Sequence, residues 1–373
     1  MHALLARRSS WVLLSIAVLQ VVSLRPCSQP LQSRRIRYTL TRKVKAYEYR
    51  EGTKGALTSS LKSYEQCGLS LKVNMSCPRV LHAVREVRAG LGHQLSELVF
   101  FAQLSKYYGA TLVIEPFSSK LSSHGSSHLF VNSFLGLQNI LSDLDVRSLK
   151  LNSTLLSDVS NEECGVLFEG GFRDCPGADC FQTPLMRSVF ANFAPCLRYL
   201  STRDGTWRDN NPYKDHTFNV VWHVRVGDRV PHDIHDVYFQ NIYAGMRSIF
   251  DLAPVVHHYV LGDWFSTGAH KRQAFKSKFT ELLGSDNVHF PRLSLKETLT
   301  YMLHASVLIG SGSSLSAIVP LFSDKPMYLN VKPKHGWNFL AEDAFDGVQV
   351  TGDGHVVTPT WEMRSIMRNK RLD

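Results

Sequence analysis

The sequence has no CxxC pair, no lysine in its serine-rich glycine loop, no repeat at a fixed period, and few acidic residues for its basic ones. Each shortage narrows the reading. Without paired CxxC motifs the cysteines do not spell a zinc module. Without the lysine of a P-loop, the Gly/Ser loop does not imply ATP hydrolysis. The absence of a period argues against a solenoid. Asp and Glu number 32 against 42 Lys and Arg, a formal net charge of +10. That surplus suits an anionic partner such as a nucleotide diphosphate, a nucleic acid or a membrane surface, and equally serves simple solubility. Hydrophobic residues at 44% and charged residues at 20% describe a globular chain with real cores, neither disordered nor fibrous. At 373 residues there is room for two domains of about 150 residues and a tail.

The N-terminal apolar run is also short. Trp11 to Leu24 holds 14 residues, with Ser15, Gln20 and Ser23 inside it, against roughly 20 needed to span a bilayer. Arg7 and Arg8 precede it and Arg25-Pro26 closes it, a pattern that the secretory machinery reads. It is read as a short Golgi-type signal anchor behind a cytoplasmic tail of residues 1–10, or as a cleaved signal peptide, since Val21 and Ser23 fit cleavage after Ser23. Both place the remainder in a lumen: Golgi membrane with single-pass type II topology, or ER lumen or secretion after cleavage. Asn74-Met75-Ser76 and Asn152-Ser153-Thr154 are glycosylation acceptors in keeping with that compartment. Cys27 flanks the apolar run; Cys67, Cys77, Cys164, Cys175, Cys180 and Cys196 allow up to three disulfides, by any of 15 pairings. Zinc held by the Cys164–Cys196 cluster is the competing reading.

Residues 25–78, rich in Arg, Lys, Ser and Thr and without sustained period, read as a stem. Packed structure is expected from near Val80, in an N-terminal domain over 79–215 and a C-terminal domain over 216–373. From Gly92 to Tyr108, Leu95, Leu98, Val99 and Ala102 fall at helical spacing; Gly109 ends the helix and Thr111–Ile114 follows as a buried strand. The middle, Ser118 to Asp215, reads as less regular, and its Ser122–His128 stretch as an exposed loop rather than a metal site. Strands are expected again at Phe218–Val224, His258–Leu261, Ser306–Ile309 and Pro326–Leu329, with a capping box at Ser294-Leu295-Lys296-Glu297 opening an apolar-faced helix. Strand–helix alternation predicts an α/β fold with mostly parallel sheets, and ligands in such sheets bind beyond the carboxyl ends of the strands.

Three motifs sit at such places. Gly90-Leu91-Gly92-His93-Gln94 opens the first helix, where glycines allow close backbone approach and helix amides favour phosphate; an ordinary turn is the alternative. His223-Val224-Arg225-Val226-Gly227-Asp228 follows a buried strand, so Arg225 can offer its fork to a diphosphate while His223 donates and Asp228 orients the arginine; a plain Arg225–Asp228 ion pair is the alternative. Gly310-Ser311-Gly312-Ser313-Ser314-Leu315-Ser316 exposes amides and hydroxyls before an apolar helix near Leu315, a phosphate cradle of neutral donors, or a serine-rich turn.

In this order and spacing, over roughly Val80 to Asn330, the three resemble the shared pieces of the GDP-fucose-dependent fucosyltransferases, the superfamily of α1,2-, α1,6- and protein O-fucosyltransferases. The first is similar to their GxGNQ loop, followed here too by a helix and Gly109-Ala110-Thr111-Leu112-Val113; the second to their HxRRxD motif; the third to their last serine-rich nucleotide-binding loop. The resemblance implies a GT-B fold of two facing Rossmann-like domains, the second holding the nucleotide sugar, and inverting transfer of fucose from GDP-fucose to a glycan or glycoprotein without metal or other cofactor. Nucleic acid is not an expected partner; the membrane is one through an uncleaved N-terminus. Arg225 falls on the arginine that stabilises the departing GDP, the expected dominant electrostatic effect. Gly90, Gly92, His93, His223, Asp228, Ser311, Ser313 and Ser314 complete the expected donor site. Asp233, eight residues after Arg225, falls where α1,6-type members place the base for the acceptor proton, with Asp236 as fallback. Asp143-Leu144-Asp145 spells the DxD of metal-dependent transferases but lies far from the other motifs and reads as coincidence. Val226 replaces the second arginine and His93 the usual asparagine. A transferase of another nucleotide sugar, or a non-catalytic binding protein of the same fold, is the alternative.

Overall fold

The computed structural model describes residues 79–83, 89–107, 109–122, 127–139, 152–155, 164–170, 194–195, 197–213, 218–224, 236–262, 269–284, 286–331 and 347–371. The expected tail, anchor and stem, the Asn74 sequon and the DxD lie outside them. Among the described residues no helix is long and apolar enough to cross a membrane.

Two all-parallel sheets carry the chain, which has the expected α/β architecture. The first contains β1 (Arg79–Ala83), β2 (Thr111–Ile114), β3 (Asn152–Leu155) and β4 (Val166–Gly170) in the order β2-β1-β4-β3. Two of these strands come from the middle that the sequence presented as irregular. Asn152 of the second sequon opens the edge strand β3, whose Asn-Ser-Thr-Leu lacks the apolar run that marks a buried strand. Cys164, just before β4, is disulfide-bonded; the other cysteines lie outside the described residues.

The helix between β1 and β2 is α1 (Leu91–Tyr107). Leu91, Leu95, Leu98, Phe100, Phe101, Ala102 and Leu104 are all buried. Apolar residues on more than one face mark a helix packed between layers rather than on a surface. Accordingly its core is continuous with Val221, Leu261, Leu299, Met302, Leu308 and Ile318 of the second half of the chain.

The second sheet runs β10-β9-β8-β5-β6-β7, built from β5 (Phe218–His223), β6 (Val256–Leu261), β7 (Val288–His289), β8 (Val307–Gly310), β9 (Met327–Val331) and β10 (Gly347–Val350). From β5 the chain winds outward through β6 and β7, returns to β8 beside β5, and winds outward the other way. That is the doubly wound order of dinucleotide-binding sheets. Alternate residues explain why its central strands are apolar throughout: Val221, Leu261 and Leu308 join the first core, whereas Val220, Trp222, Val260 and Ile309 join a second. The second core lies under α2 (Asp236–Phe250), α3 (Ala269–Leu283) and α6 (Thr360–Arg371), and the first includes α4 (Leu295–His304) and α5 (Ser314–Ile318).

The capping box is formed as expected: Glu297 N–H donates to Ser294 Oγ at 3.3 Å, and Ser294 N–H to Glu297 Oε2 at 2.7 Å. Such a cap contributes about 1 kcal/mol. The five strands expected from the sequence start and end within two residues of β2, β5, β6, β8 and β9, whereas β1, β3, β4, β7 and β10 were not expected. The Ser122–His128 reading needs correction at both ends, because Ser122 and His128 are buried, at 7% and 3% exposure, and His128 is joined to Gln94 at 3.1 Å. A distant buried partner overrode the local polarity of that stretch.

After β10 the chain turns back along its outer edge. Thr351 N–H donates to His355 O and Val357 N–H to Gln349 O, each at 2.9 Å, while Gln349 N–H donates to Thr358 Oγ1 at 2.8 Å. Gly354 sits in that turn at φ +93°, and a Cβ there would meet the carbonyl of Tyr238; both facts require glycine.

Trp222 in β5 donates its indole N–H to Nδ1 of His258 in β6 at 3.1 Å. Burial first, then the neighbouring His257 and His289, lower the His258 pKa from 6.5 to about 4. The fold therefore favours the neutral ring. This contribution is complete above about pH 6.5 and is lost as pH falls toward 4, worth about 3 kcal/mol. His258→Gln, which keeps an acceptor for Trp222 without the titration, is expected to flatten the fall in urea-unfolding free energy across that window.

Candidate functional site

The change of winding direction falls between β5 and β8, where His223 stands in register with Gly310. Crossovers on either side diverge from this point and leave a crevice above the carboxyl ends. The second and third sequence motifs begin here, on neighbouring strands, at His223 and Gly310. Val224 extends the β5–β6 pairing by one residue, its N–H donating to Leu261 O at 2.7 Å. Arg225, Asp228 and Asp233 lie outside the described residues, and Asp236 is the first residue of α2.

On the β8 side, Tyr238 Oη donates to Gly310 O at 2.8 Å and fixes the end of the strand from below. Ser311 and Ser313 are buried, at 6% and 9% exposure, and Ser314 is half-buried. Ser313 is the N-cap of α5: its Oγ accepts from Leu315 N–H at 3.3 Å, and its carbonyl accepts from Ser316 Oγ at 3.0 Å and Ala317 N–H at 3.1 Å. The Leu315 amide, one of the donors expected for a phosphate, is thus used within the loop. Because the Ser313 hydroxyl accepts there, its own proton can be directed to another group.

The first motif meets the third directly. A Cβ on Gly92 would lie 2.7 Å from Leu315 Cα and 2.7 Å from the Ser314 carbonyl carbon, and closer still to Leu315 N. Backbone fills the place of a side chain, so the glycine at 92 serves the approach of α1 to α5. The sequence reading had given that approach to a ligand. Gly90 O accepts from His93 N–H at 3.0 Å and Gln94 N–H at 3.2 Å, opening α1. Gln94, buried at 3% exposure, donates from Nε2 to Ala89 O at 2.8 Å besides meeting His128. His93 Nε2 stands 3.4 Å from Oε1 of Glu97, one turn along. His223 is buried, at 8% exposure.

Gly90, Gly92, His93, His223, Ser311, Ser313 and Ser314 therefore belong to one neighbourhood made of two strand ends and two helix starts. Sequence reasoning named Gln94 in the first motif without giving it a role, and passed over Glu97. An acid four residues after His93 and directly before the apolar run Leu98–Ala102 was the signal available for Glu97.

No family model matches the chain, and no curated protein matches it. Solved structures similar to it include glycosyltransferases. One is an arginine-to-lysine mutant of Arabidopsis thaliana FUT1 in complex with GDP, with 14% identity, TM-score 0.40, and 76% of this chain and 80% of that one covered. Another is E. coli heptosyltransferase WaaC with ADP, at 12% identity and TM-score 0.37, covering 78% and 99%. A third is a family 9 glycosyl transferase from Veillonella parvula, at 9% and 0.36, covering 79% and 89%. At these scores the likeness assigns no activity.

Gly92→Val would drive the starts of α1 and α5 apart. It is expected to lower unfolding stability by about 1–3 kcal/mol, read by urea denaturation. Gly109→Ala, where an added Cβ meets nothing within 4 Å but the φ of +58° is strained, is expected to cost less.

Proposed function

We propose that the chain is a glycosyltransferase of GT-B type that transfers fucose from GDP-fucose to a glycan or glycoprotein, with inversion and without a metal. The observation that carries the reading is the register of His223 with Gly310 at the point where the winding reverses. It brings a histidine, a serine-rich loop and the strand leading into Arg225 to one crevice, with the glycine motif packed against it. The chemistry fits a nucleotide diphosphate: hydroxyls and backbone donors take the phosphates, and Arg225 stabilises the negative charge that develops as the diphosphate leaves. The similarity of the three motifs to the fucosyltransferase pieces supports the donor. Arg7, Arg8 and the apolar run to Leu24, with the sequons and the even number of downstream cysteines, support a luminal enzyme held in the Golgi membrane and braced by disulfides.

The test is nucleotide release by the full-length chain from a panel of nucleotide sugars, with and without chelator. Release from GDP-fucose alone, insensitive to chelator and reduced at least about 100-fold in Arg225→Ala, is the expected outcome. Release from a different donor would remove fucose and keep the transferase. Silence across the panel together with no GDP binding in calorimetry would remove the transferase reading.

A further inference from the structure

Trp361 is the most exposed large hydrophobic side chain among the described residues, at 71%, in the first turn of α6. Tryptophan is ordinarily buried over most of its surface, so an indole left in water calls for a reason. α6 turns Met363 and Met367 inward, and Ile366 packs half-buried on the same second core. At about 100° per residue Trp361 lies on the opposite side. Arg364 and Arg368, both exposed, follow it on that side, and the three form one row over about 10 Å of helix. No hydrogen bond, ion pair or ring contact joins these three side chains to any of the described residues. Local helix physics accounts for part of the pattern only. Glu362 in the first turn and a cation such as Arg368 in the last suit the helix dipole. Arg364 sits between those turns, one turn from a like charge, which is unfavourable for the helix. After Glu362 the sequence to Leu372 adds Arg364, Arg368, Lys370 and Arg371 and no acid. An exposed ring beside uncompensated guanidinium groups has the composition of a binding surface for an anion with an apolar face.

Resting on the luminal setting of the transferase reading, we infer that the row of Trp361, Arg364 and Arg368 is a docking site for an acidic glycan, a saccharide chain bearing sulfate or carboxylate groups. The flat indole stacks on the C–H face of a pyranose ring. The two guanidinium groups, one turn apart, pair with successive anionic groups along the chain, a match of fork to oxyanion. The same residues decide among polyanions. An interfacial helix holds a membrane by burying its apolar face in lipid. That face of α6 is already spent on the second core, which leaves Trp361 and Val357, 56% exposed, as the only large apolar groups there for a bilayer. Single-stranded nucleic acid also stacks on aromatic rings between basic groups, but a luminal chain does not meet it. The row thus narrows the class of glycan that the protein engages to one carrying negative charge.

The experiment titrates the full-length chain by calorimetry with a heparin oligosaccharide, a neutral oligosaccharide of equal length, phosphatidylserine vesicles and a single-stranded oligoribonucleotide. Heparin is expected to bind and the neutral saccharide not. Arg364→Ala/Arg368→Ala is expected to weaken heparin binding by about tenfold or more and to flatten its dependence on salt. Trp361→Ala is expected to weaken it by about threefold or more at every salt concentration, with Trp361→Phe in between, because stacking is not screened. Arg272→Ala/Lys276→Ala, which removes the same charge from α3, is expected to leave the affinity within about twofold, the range of a distant screened charge. Absence of heparin binding overturns the inference, as does binding that Trp361→Ala and Arg364→Ala/Arg368→Ala leave unchanged. Equal loss in the α3 pair overturns it too, since the attraction would then be that of the net charge. Tighter binding of vesicles or oligoribonucleotide through the same three residues overturns the glycan in favour of that partner. Nucleotide release from GDP-fucose is followed beside these titrations and is expected to be the same in every variant. Release without heparin binding removes the docking site alone; heparin binding with silence across the donor panel removes the transferase reading alone.

Discussion

The contact of Gly92 with the backbone of Ser314 and Leu315 is the constraint on which the rest depends. Two helices begin at that point, each following a strand of a different sheet. Only the absence of a side chain lets their backbones touch. The contact fixes α1 against the second sheet, and from it follows a core running from Leu81 and Leu112 through Leu95 and Leu98 to Val221 and Leu308. It also brings the glycine motif within reach of the serine loop. One steric fact thus serves both the packing and the candidate site.

The supports around the site are held from several directions by groups that do no chemistry. Tyr238 secures Gly310 from α2, and the turn holding Gly354 packs in turn on Tyr238. On the other wall, Gln94 ties α1 to the preceding loop at Ala89 and to His128. Farther away, Arg198 Nε donates to Pro320 O at 3.0 Å, and His304 joins the carbonyl of Trp207 at 2.9 Å. These bonds fasten the segment between the sheets to α4 and to the turn after α5. Positions at a site are only as exact as the shell that supports them.

Much of this was legible in the chain. Long apolar strands, the capping box at Ser294 and glycines at helix starts speak through local composition, and the four central strands of the second sheet were readable from them, whereas the order that brings two motifs together at its centre was not. The first sheet was legible only through α1 and β2. Its strands β3 and β4 are short, and Asn152-Ser153-Thr154 has the polarity of a loop; pairing with neighbours makes it a strand, and pairing leaves no mark in a single sequence. His128 is the same lesson in one residue: its neighbours are serines, and its burial depends on Gln94, 34 positions earlier. The packing role of Gly92 was hidden for a related reason. Sequence shows that a side chain is missing, but not what occupies its place.

The return of the chain along β10 has a consequence beyond geometry. A sheet exposes a row of amides and carbonyls at each border, and a bare border is a template for a strand from another molecule. Here one border of the larger sheet is covered by residues 355–358, hydrogen-bonded to Gln349 and Thr351, with Pro359 immediately after, and the other ends in the two-residue β7. The sheet has thus closed its own ends. A chain made at high local concentration gains from this a barrier to strand-by-strand aggregation that requires no partner.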